Sequence, residues 1–338
     1  MRIAIDAMGG DHAPAEIVAG TVEARKILGK DDELILIGIE DKIRQCLSSQ
    51  NFNGEGISIV HAPEVVDMDE SPVESVRNKR HSSISIMAKM ASKNEADAVL
   101  SAGNTGACVA ACQLRMRNLQ GVLRPGIAVT LPTFGGPVTI CDVGANVACK
   151  PINLYQYAVM ACVYVTQMFG IEKPRVGLMG IGEEAAKGNE LVKKTREMLD
   201  ADPKINFVGN IEGRDVLDGL CDVAICEGFV GNVILKLTEG LVDGLFGAIK
   251  HELMNRNKLL AMIFKSVMRS IYKKYDYHEY GGALLLGVNG TAVISHGSSK
   301  SRTIKNAILA SREFYTKKIN DKIVERISNS PIITNGEK

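Results

Sequence analysis

Nine short β-branched or aliphatic runs recur along the chain, mostly separated by segments of helical periodicity, and this alternation constrains the fold more than any single motif. The runs are Arg2–Asp6, Glu33–Gly38, Ile57–Val60, Asp97–Leu100, Ile127–Leu131, Val138–Asp142, Arg175–Met179, Ile205–Val208 and Asp222–Cys226. Strands alternating with helices predict an α/β fold with a largely parallel sheet and helices on both faces. In such folds ligands bind beyond the carboxyl ends of the strands. Turns rich in Gly, Asn and Asp stand at those positions: Asp6–His12, Ser101–Gly106, Asp142–Asn146, Gly180–Glu184 and Glu227–Asn232. Together they predict one shared cleft.

No fixed-period repeat, low-complexity tract or Pro/Ser linker divides the 338 residues. The expectation is a single unit over 1–330, or two interlocked lobes sharing strands, with a disordered tail at 331–338. Leu241–Tyr280 breaks the α/β rhythm, because one helical stretch follows another without a strand. It is expected to protrude over 245–280. Within it Leu253, Leu260, Ile263, Phe264, Val267, Met268 and Ile271 recur at helical spacing beside Lys258, Lys265, Arg269, Lys273 and Lys274. Such a face suits a dimer bundle, an anionic lipid surface or an acidic protein partner.

The formal net charge is +1 and Trp is absent, so neither a global field nor stacking platforms argue for nucleic acid. Eight cysteines stand singly, without the C-x-x-C pairing of zinc or redox sites, and read as small apolar residues in a reducing cytoplasm. The chain opens on a strand-like run, leaving no room for a signal peptide before it, and no uncharged apolar run reaches the ~20 residues of a membrane span. A soluble protein able to lie on a membrane surface is expected.

The candidate chemistry begins at Val176–Glu190, where an apolar strand empties into a Gly-rich turn carrying Lys187 and then a helix. Unpaired N–H groups at a helix start favour anions, and glycines let a phosphate approach the backbone. The spacing matches neither G-x-x-x-x-G-K-[ST] nor G-x-G-x-x-G. The alternative is an ordinary turn with a solvated lysine. Asn232, entering a helix over Val233–Glu239, is a carbonyl donor or an N-cap. His12 is a general base or a surface residue beside an N-capping Asp11. Ser101, Asn104 and Thr105 suit ligand hydroxyls or phosphate oxygens, or simply build a turn. His278 and His296 have no partner at a recognisable spacing, so no Ser/His/Asp triad assembles. Asp218 and Asp222 need not converge, and no metal is expected.

Read in order, Ile5-Asp-Ala-Met-Gly-Gly-Asp-His-Ala-Pro14, Ser101-Ala-Gly-Asn-Thr-Gly-Ala107, Arg124-Pro-Gly-Ile127, Asp142-Val-Gly-Ala-Asn146, Gly182-Glu-Glu-Ala-Ala-Lys-Gly-Asn189, Glu212-Gly-Arg-Asp215 and Glu227-Gly-Phe-Val-Gly-Asn232 resemble the phosphate acyltransferase family of bacterial phospholipid synthesis, PlsX. The resemblance spans residues 1 to about 325. It implies a three-layer Rossmann-like fold akin to phosphotransacetylase and isopropylmalate dehydrogenase. The implied reaction moves a long-chain acyl group from acyl carrier protein to inorganic phosphate, without cofactor or metal.

The resemblance further implies a homodimer on the inner face of the cell membrane, feeding a membrane glycerol-3-phosphate acyltransferase. Lys187 and Asn232 match positions expected to be essential. Gly9, Gly10, Asp11, His12, Ser101, Asn104, Thr105, Asp142, Asn146, Gly182, Glu183, Glu184 and Gly231 are the expected substrate or phosphate contacts. Leu260, Ile263, Phe264, Lys265, Val267 and Arg269 are the expected membrane or carrier contacts. Rival readings are an acyl-CoA-dependent phosphotransacetylase-like enzyme, a nicotinamide dehydrogenase and a non-catalytic carrier-binding scaffold.

Overall fold

The structure is a computed structural model that describes residues 1–52, 54–184, 186–256, 258–275 and 281–335. Side chains at 256, 258–263, 272, 273, 334 and 335 also lie outside what it describes. The elements run β1 Arg2–Asp6, α1 Ala15–Arg25, β2 Glu33–Gly38, α2 Glu40–Ser49, β3 Ile57–His61, α3 Pro72–Asn78, α4 Ser83–Ser92, β4 Ala98–Ser101 and α5 Thr105–Met116. Then follow β5 Gly126–Thr133, β6 Gly136–Cys141, α6 Pro151–Phe169, β7 Arg175–Met179, α7 Glu190–Asp200, β8 Asn206–Ile211, α8 Gly213–Asp218 and β9 Val223–Ile225. The last part holds α9 Gly228–Arg256, α10 Lys258–Lys274, β10 Ala283–Leu286, β11 Thr291–Ile294, α11 Ser301–Thr316, α12 Ile319–Ser328 and α13 Pro331–Asn335.

The strands form one eleven-stranded sheet in the order β3-β2-β1-β4-β11-β10-β5-β6-β9-β7-β8. Successive strand residues point to opposite faces. Ile3, Ile5, Leu34 and Leu36 therefore join one apolar layer, while Ala4, Ile35 and Ile37 join another. Both faces are buried, so the strands read as continuous aliphatic runs rather than as alternations. Helix α6 covers the first layer with Tyr155, Tyr157 and Met160, all fully buried. Its start is fixed by Pro151 and by Asn153, whose Oδ1 accepts from Lys150 N at 2.8 Å, and Gly170 ends it at φ +72°.

Strand direction determines where the turns lie. β10 pairs antiparallel with both β11 and β5, and β6 pairs antiparallel with β5. β3, β2, β1, β4, β11 and β5 consequently run one way, whereas β6, β9, β7 and β8 run with β10 the other way. The turns after β1 and β4 thus leave one end of the sheet, and those after β6, β7 and β9 leave the opposite end. The single cleft expected from five turns resolves into two groups.

Three further differences concern the carboxyl-terminal third. β10 and β11 were not among the expected strands. The segment expected to be a disordered tail holds α13, and Ser330 before it is fully buried against the Tyr155 hydroxyl at 2.6 Å. Residues 336–338, like His278, lie outside the described residues. Helix α9 begins at Gly228, so Asn232 sits inside its first turns and is not an N-cap. Beyond Gly231 no described residue of α9 is buried.

Candidate active site

At the first end, β1 delivers Asp6 into full burial, which pushes its carboxyl above the usual range against the pull of its hydrogen bonds. Ser101 Oγ donates to Asp6 Oδ2 at 2.7 Å and accepts from Gly103 N at 3.0 Å. A Cβ on Gly9 would stand 2.5 Å from Asp6 Oδ2 and 2.6 Å from Gly103 N, so glycine is required for the two turns to touch. Asp11 N donates to Gly297 O at 2.8 Å, tying the β1 turn to the β11 turn through Gly10 at φ +106°. The residue capping α1 is Pro14, without a side-chain bond, so Asp11 does not cap it. His12 is exposed beside it.

Asn104 is spent on structure. Its Oδ1 accepts from Ala107 N at 3.0 Å, capping α5, and its Nδ2 donates to the carbonyls of Met68 and Glu70 at 3.1 Å. Thr105, the next residue, opens α5 and lines a cavity.

At the other end, the carboxylate of fully buried Asp142 organises its own turn. Oδ1 accepts from Ile127 N, Gly144 N and Ala145 N at 2.9, 3.1 and 3.0 Å, and Oδ2 accepts from Asn146 N at 2.7 Å. Burial raises its pKa while these N–H groups hold it back. Asn146 donates to Pro125 O at 2.7 Å and to the Tyr157 hydroxyl at 2.8 Å. Both side chains are engaged within the fold, where they build this turn.

That turn seats α9. Gly228 N donates to Asn146 O at 2.8 Å, while Glu227 accepts from Phe229 N at 2.7 Å and Val230 N at 3.1 Å. A Cβ on Gly231 would lie 1.9 Å from Asp142 O. The glycine permits backbone to lie on backbone, and Asn232 follows it directly, at the rim of the cavity.

The Lys187 turn reaches the same end, since β7 pairs with β9 and β9 with β6. The sequence places Lys187 at a helix opening, but α7 starts three residues later and Asn189 Oδ1 occupies that opening, accepting from Val192 N at 3.0 Å. Lys187 is half exposed, folds over Gly182, and has its Nζ 3.6 Å from Glu184 Oε1. Glu183 and Glu184 are exposed there, and the Glu184 carboxylate must turn away for an anion to reach the lysine. Lys187 does not line the cavity at Asn232.

The cavity lies where α9 crosses from one end of the sheet towards the other. Ile127, Val129, Val143 and Leu235 supply its apolar wall, and Thr105, Asn232, Lys236, Glu239 and His296 its polar one. Lys236 Nζ approaches His296 Nε2 to 2.5 Å and Glu239 Oε2 to 2.9 Å. No spacing in the sequence marks this pair, because 60 positions separate its members. The Asn232-to-Lys236 spacing of one helical turn was the readable half of the signal.

A larger cavity of about 680 Å³ opens between α6, α12 and the turns before β7 and β8, and holds none of the expected residues. No group of three or more His, Cys, Asp or Glu side chains among the described residues converges for a metal. Asp222 is engaged by Arg175 at 2.8 Å. On α10, Phe264, Lys265, Val267 and Arg269 are exposed, whereas the side chains of Leu260 and Ile263 lie outside the described residues. No described helix is long and apolar enough to cross a membrane.

Residues 1–322 match the protein family described as "Fatty acid synthesis protein". A phosphate acyltransferase from Halothermothrix orenii is 45% identical over 332 residues, covering 97% of this chain and 99% of that protein. The chain belongs to the phosphate acyltransferase family. A second member, from Bacillus cereus, is 46% identical and covers 94% of this chain and 96% of its own. Among solved structures, a phosphotransacetylase from Streptococcus pyogenes superposes with a TM-score of 0.61 at 16% identity, covering 93% of this chain and 94% of that one. This likeness establishes the shared α/β fold expected for the family.

Proposed function

We propose that this chain transfers a long-chain acyl group from acyl carrier protein to inorganic phosphate, releasing acyl phosphate and the carrier thiol. The observation that carries the reading is end-to-end identity of about 45% with proteins named phosphate acyltransferase. The chemistry needs no covalent enzyme intermediate. A phosphate oxygen attacks the thioester carbon, the C–S bond breaks, and the proton of hydrogen phosphate ends on the departing sulfur.

Positioning is then the main task, and holding reactants in line supplies roughly 7–11 kcal/mol in favourable cases. Asn232 donates its amide to the thioester oxygen as charge develops there, and Lys187 neutralises an anionic group at the same end of the sheet. The seat of Asn232, one residue past the Gly231 contact, supports its role.

The helical pair α9 and α10 provides the surface for partners. Leu237, Leu241 and Leu245 form an exposed ridge at helical spacing, which a second copy of the chain covers in a homodimer. Phe264, Val267 and Ile271 are exposed beside Lys265 and Arg269, a combination that serves an anionic membrane and the acidic carrier. The product would pass there to a glycerol-3-phosphate acyltransferase.

The deciding measurement is free thiol released from acyl carrier protein thioester, with and without phosphate, beside acyl-CoA as rival donor. Phosphate-dependent release from the carrier thioester is expected. Release independent of phosphate would defeat the reading, and preference for acyl-CoA would replace the donor.

A further inference from the structure

The cavity of about 680 Å³ between α6, α12 and the turns before β7 and β8 has the size of a small-molecule site, for which ~300–1,000 Å³ is usual. β7 starts beside it and ends at the Lys187 turn, so the two places are separated by the length of a five-residue strand, roughly 15 Å. Val159, Cys162 and Val163, at helical spacing on α6, line it together with Ile205 and give it an apolar wall. No described lining residue is aromatic, so nothing there would stack on a nucleobase. Its charged lining is mostly cationic: Lys173, Lys204, Lys322 and Arg326 stand against one described acid, Glu172.

The cations are held in place from behind. Asp202 Oδ2 accepts from Arg326 Nη2 at 2.5 Å and from the Tyr155 hydroxyl at 2.6 Å, and its Oδ1 accepts from Lys204 N at 3.0 Å. Lys322, one turn before Arg326 on α12, donates its Nζ to the neutral Gln167 Oε1. Asn206 Nδ2 donates to Lys173 O at 3.2 Å and so joins the two turns. Asp202 has a fully buried side chain and offsets Arg326, which leaves three lysines against Glu172. Arg326 Nη1 is buried without an acceptor among the described residues, and a guanidinium N–H left in that way favours any arrangement that supplies one.

We propose that this cavity is a second ligand site, separate from the Asn232 cavity, for a phosphate monoester on an aliphatic chain. The chain lies along Val159, Val163 and Ile205, and the head is held by Lys204 and Lys322. Three lysines against one carboxylate leave two positive charges, which a phosphate monoester at about −1.5 to −2 near neutral pH matches and a carboxylate meets only by half. Arg326 Nη1 is covered, so its guanidinium turns about the Nη2 contact with Asp202 to reach the head. The assignment does not depend on the acyl-transfer reading. A purely structural reading makes Arg326 and Asp202 a tie between α12 and the turn after α7, with the lysines merely solvated.

Octyl phosphate carrying a terminal diazirine, cross-linked to the full chain and mapped by peptide mass spectrometry, distinguishes the two. Label is expected on α6 between Val159 and Gln167 or on the turn Pro203–Asn206. Plain octyl phosphate should displace it at a concentration at least ~10-fold below that of octanoate, which lacks the second charge, or of inorganic phosphate, which lacks the chain. Lys204→Glu and Lys322→Glu should each lower labelling there by ~10-fold or more at sub-saturating probe, and Lys204 is exposed, so the first change leaves the packing intact. Lys187→Ala should leave labelling at α6 and the Pro203–Asn206 turn unchanged, because that lysine stands at the far end of β7. Label confined to the Asn232 cavity or the Lys187 turn, or undiminished labelling in both Lys204→Glu and Lys322→Glu, would overturn the site. Displacement by octanoate as strong as by octyl phosphate would overturn the phosphate head.

Discussion

Replacing Gly231 by alanine tests whether the seating of α9 governs the reaction. The added Cβ would stand 1.9 Å from Asp142 O and 2.9 Å from Val143 Cα, where ordinary contact begins at 3.4 Å. Both obstacles are backbone, and the Asp142 carboxylate is itself held by N–H groups from Ile127, Gly144, Ala145 and Asn146. The helix must therefore shift by about 1.5 Å, since no side chain is available to give way. A misplacement of ~1 Å costs on the order of 10²-fold in rate, so kcat/KM should fall at least that far.

Overpacking of this kind costs ~1–3 kcal/mol, which should lower the Tm by several degrees and leave the protein folded. The sign is informative, because Gly→Ala at an unobstructed helix position stabilises by up to ~1 kcal/mol. Gly244, with nothing within 4 Å of its would-be Cβ, is the control. Thiol-release kinetics with calorimetric melting on Gly231→Ala and Gly244→Ala read both effects. Wild-type turnover and Tm in Gly231→Ala would refute the argument that backbone contact at Asp142 positions the site.

Lys187→Ala should lower kcat/KM by at least ~10²-fold in the thiol-release assay, and near-normal turnover would remove Lys187 from the mechanism. Asn232→Ala should lower kcat by ~10²–10³-fold with little change in Tm, because Asn232 does not cap α9; a fall in Tm at intact rate would reverse that assignment. Phe264→Glu should reduce co-flotation with anionic vesicles, and unchanged recovery of the folded variant would sink lipid contact through α10. The melting temperature should respond to acid in two stages. Burial raises the folded pKa of Asp6 and Asp142, so their protonation adds stability as pH first falls. Burial opposes ionisation of Asp202 and Asp222 as well, but hydrogen bonds from Tyr155 and Arg326 to the first, and from Arg175 to the second, hold both below the usual range. Their contribution is present above the unfolded value of ~3.9 and disappears as pH falls through the lower folded values. Melting that only steepens downward from neutral pH would contradict the first stage.

Strands buried on both faces were legible because their residues are aliphatic whichever way they point, as in Ile3-Ala-Ile5 and Leu34-Ile-Leu-Ile37. Their direction was less so. The signal lay in Pro132–Pro137, where Gly135 and Gly136 between two apolar runs mark a hairpin, and a hairpin reverses every parallel strand paired beyond it. β10 and β11 were missed for another reason. Each has four residues, β10 between Gly282 and Gly287 and β11 after Gly290, too short for periodicity to decide, and their strand character comes from pairing with β5 and β4. At the site, polar residues in Gly-rich turns were legible as a class, but not their separate uses. Asn104, Asp142 and Asn146 meet the backbone that the turns leave unpaired, a demand that exists only once the turns are folded.

The hairpin reversal explains why α9 carries so much. With the two groups of turns leaving opposite ends of the sheet, neither end alone builds the cavity at Asn232. A helix starting on the Asp142 turn and running towards the β11 turn does so, because one helical turn from Asn232 to Lys236 covers ~6 Å and ends beside His296. Its direction is set at Gly228 and Gly231, the two positions where it rests on backbone. The same rigid axis continues through the exposed ridge of Leu237, Leu241 and Leu245. A shift at the Gly231 contact therefore moves Asn232 and Lys236 at the cavity and the ridge beyond them together.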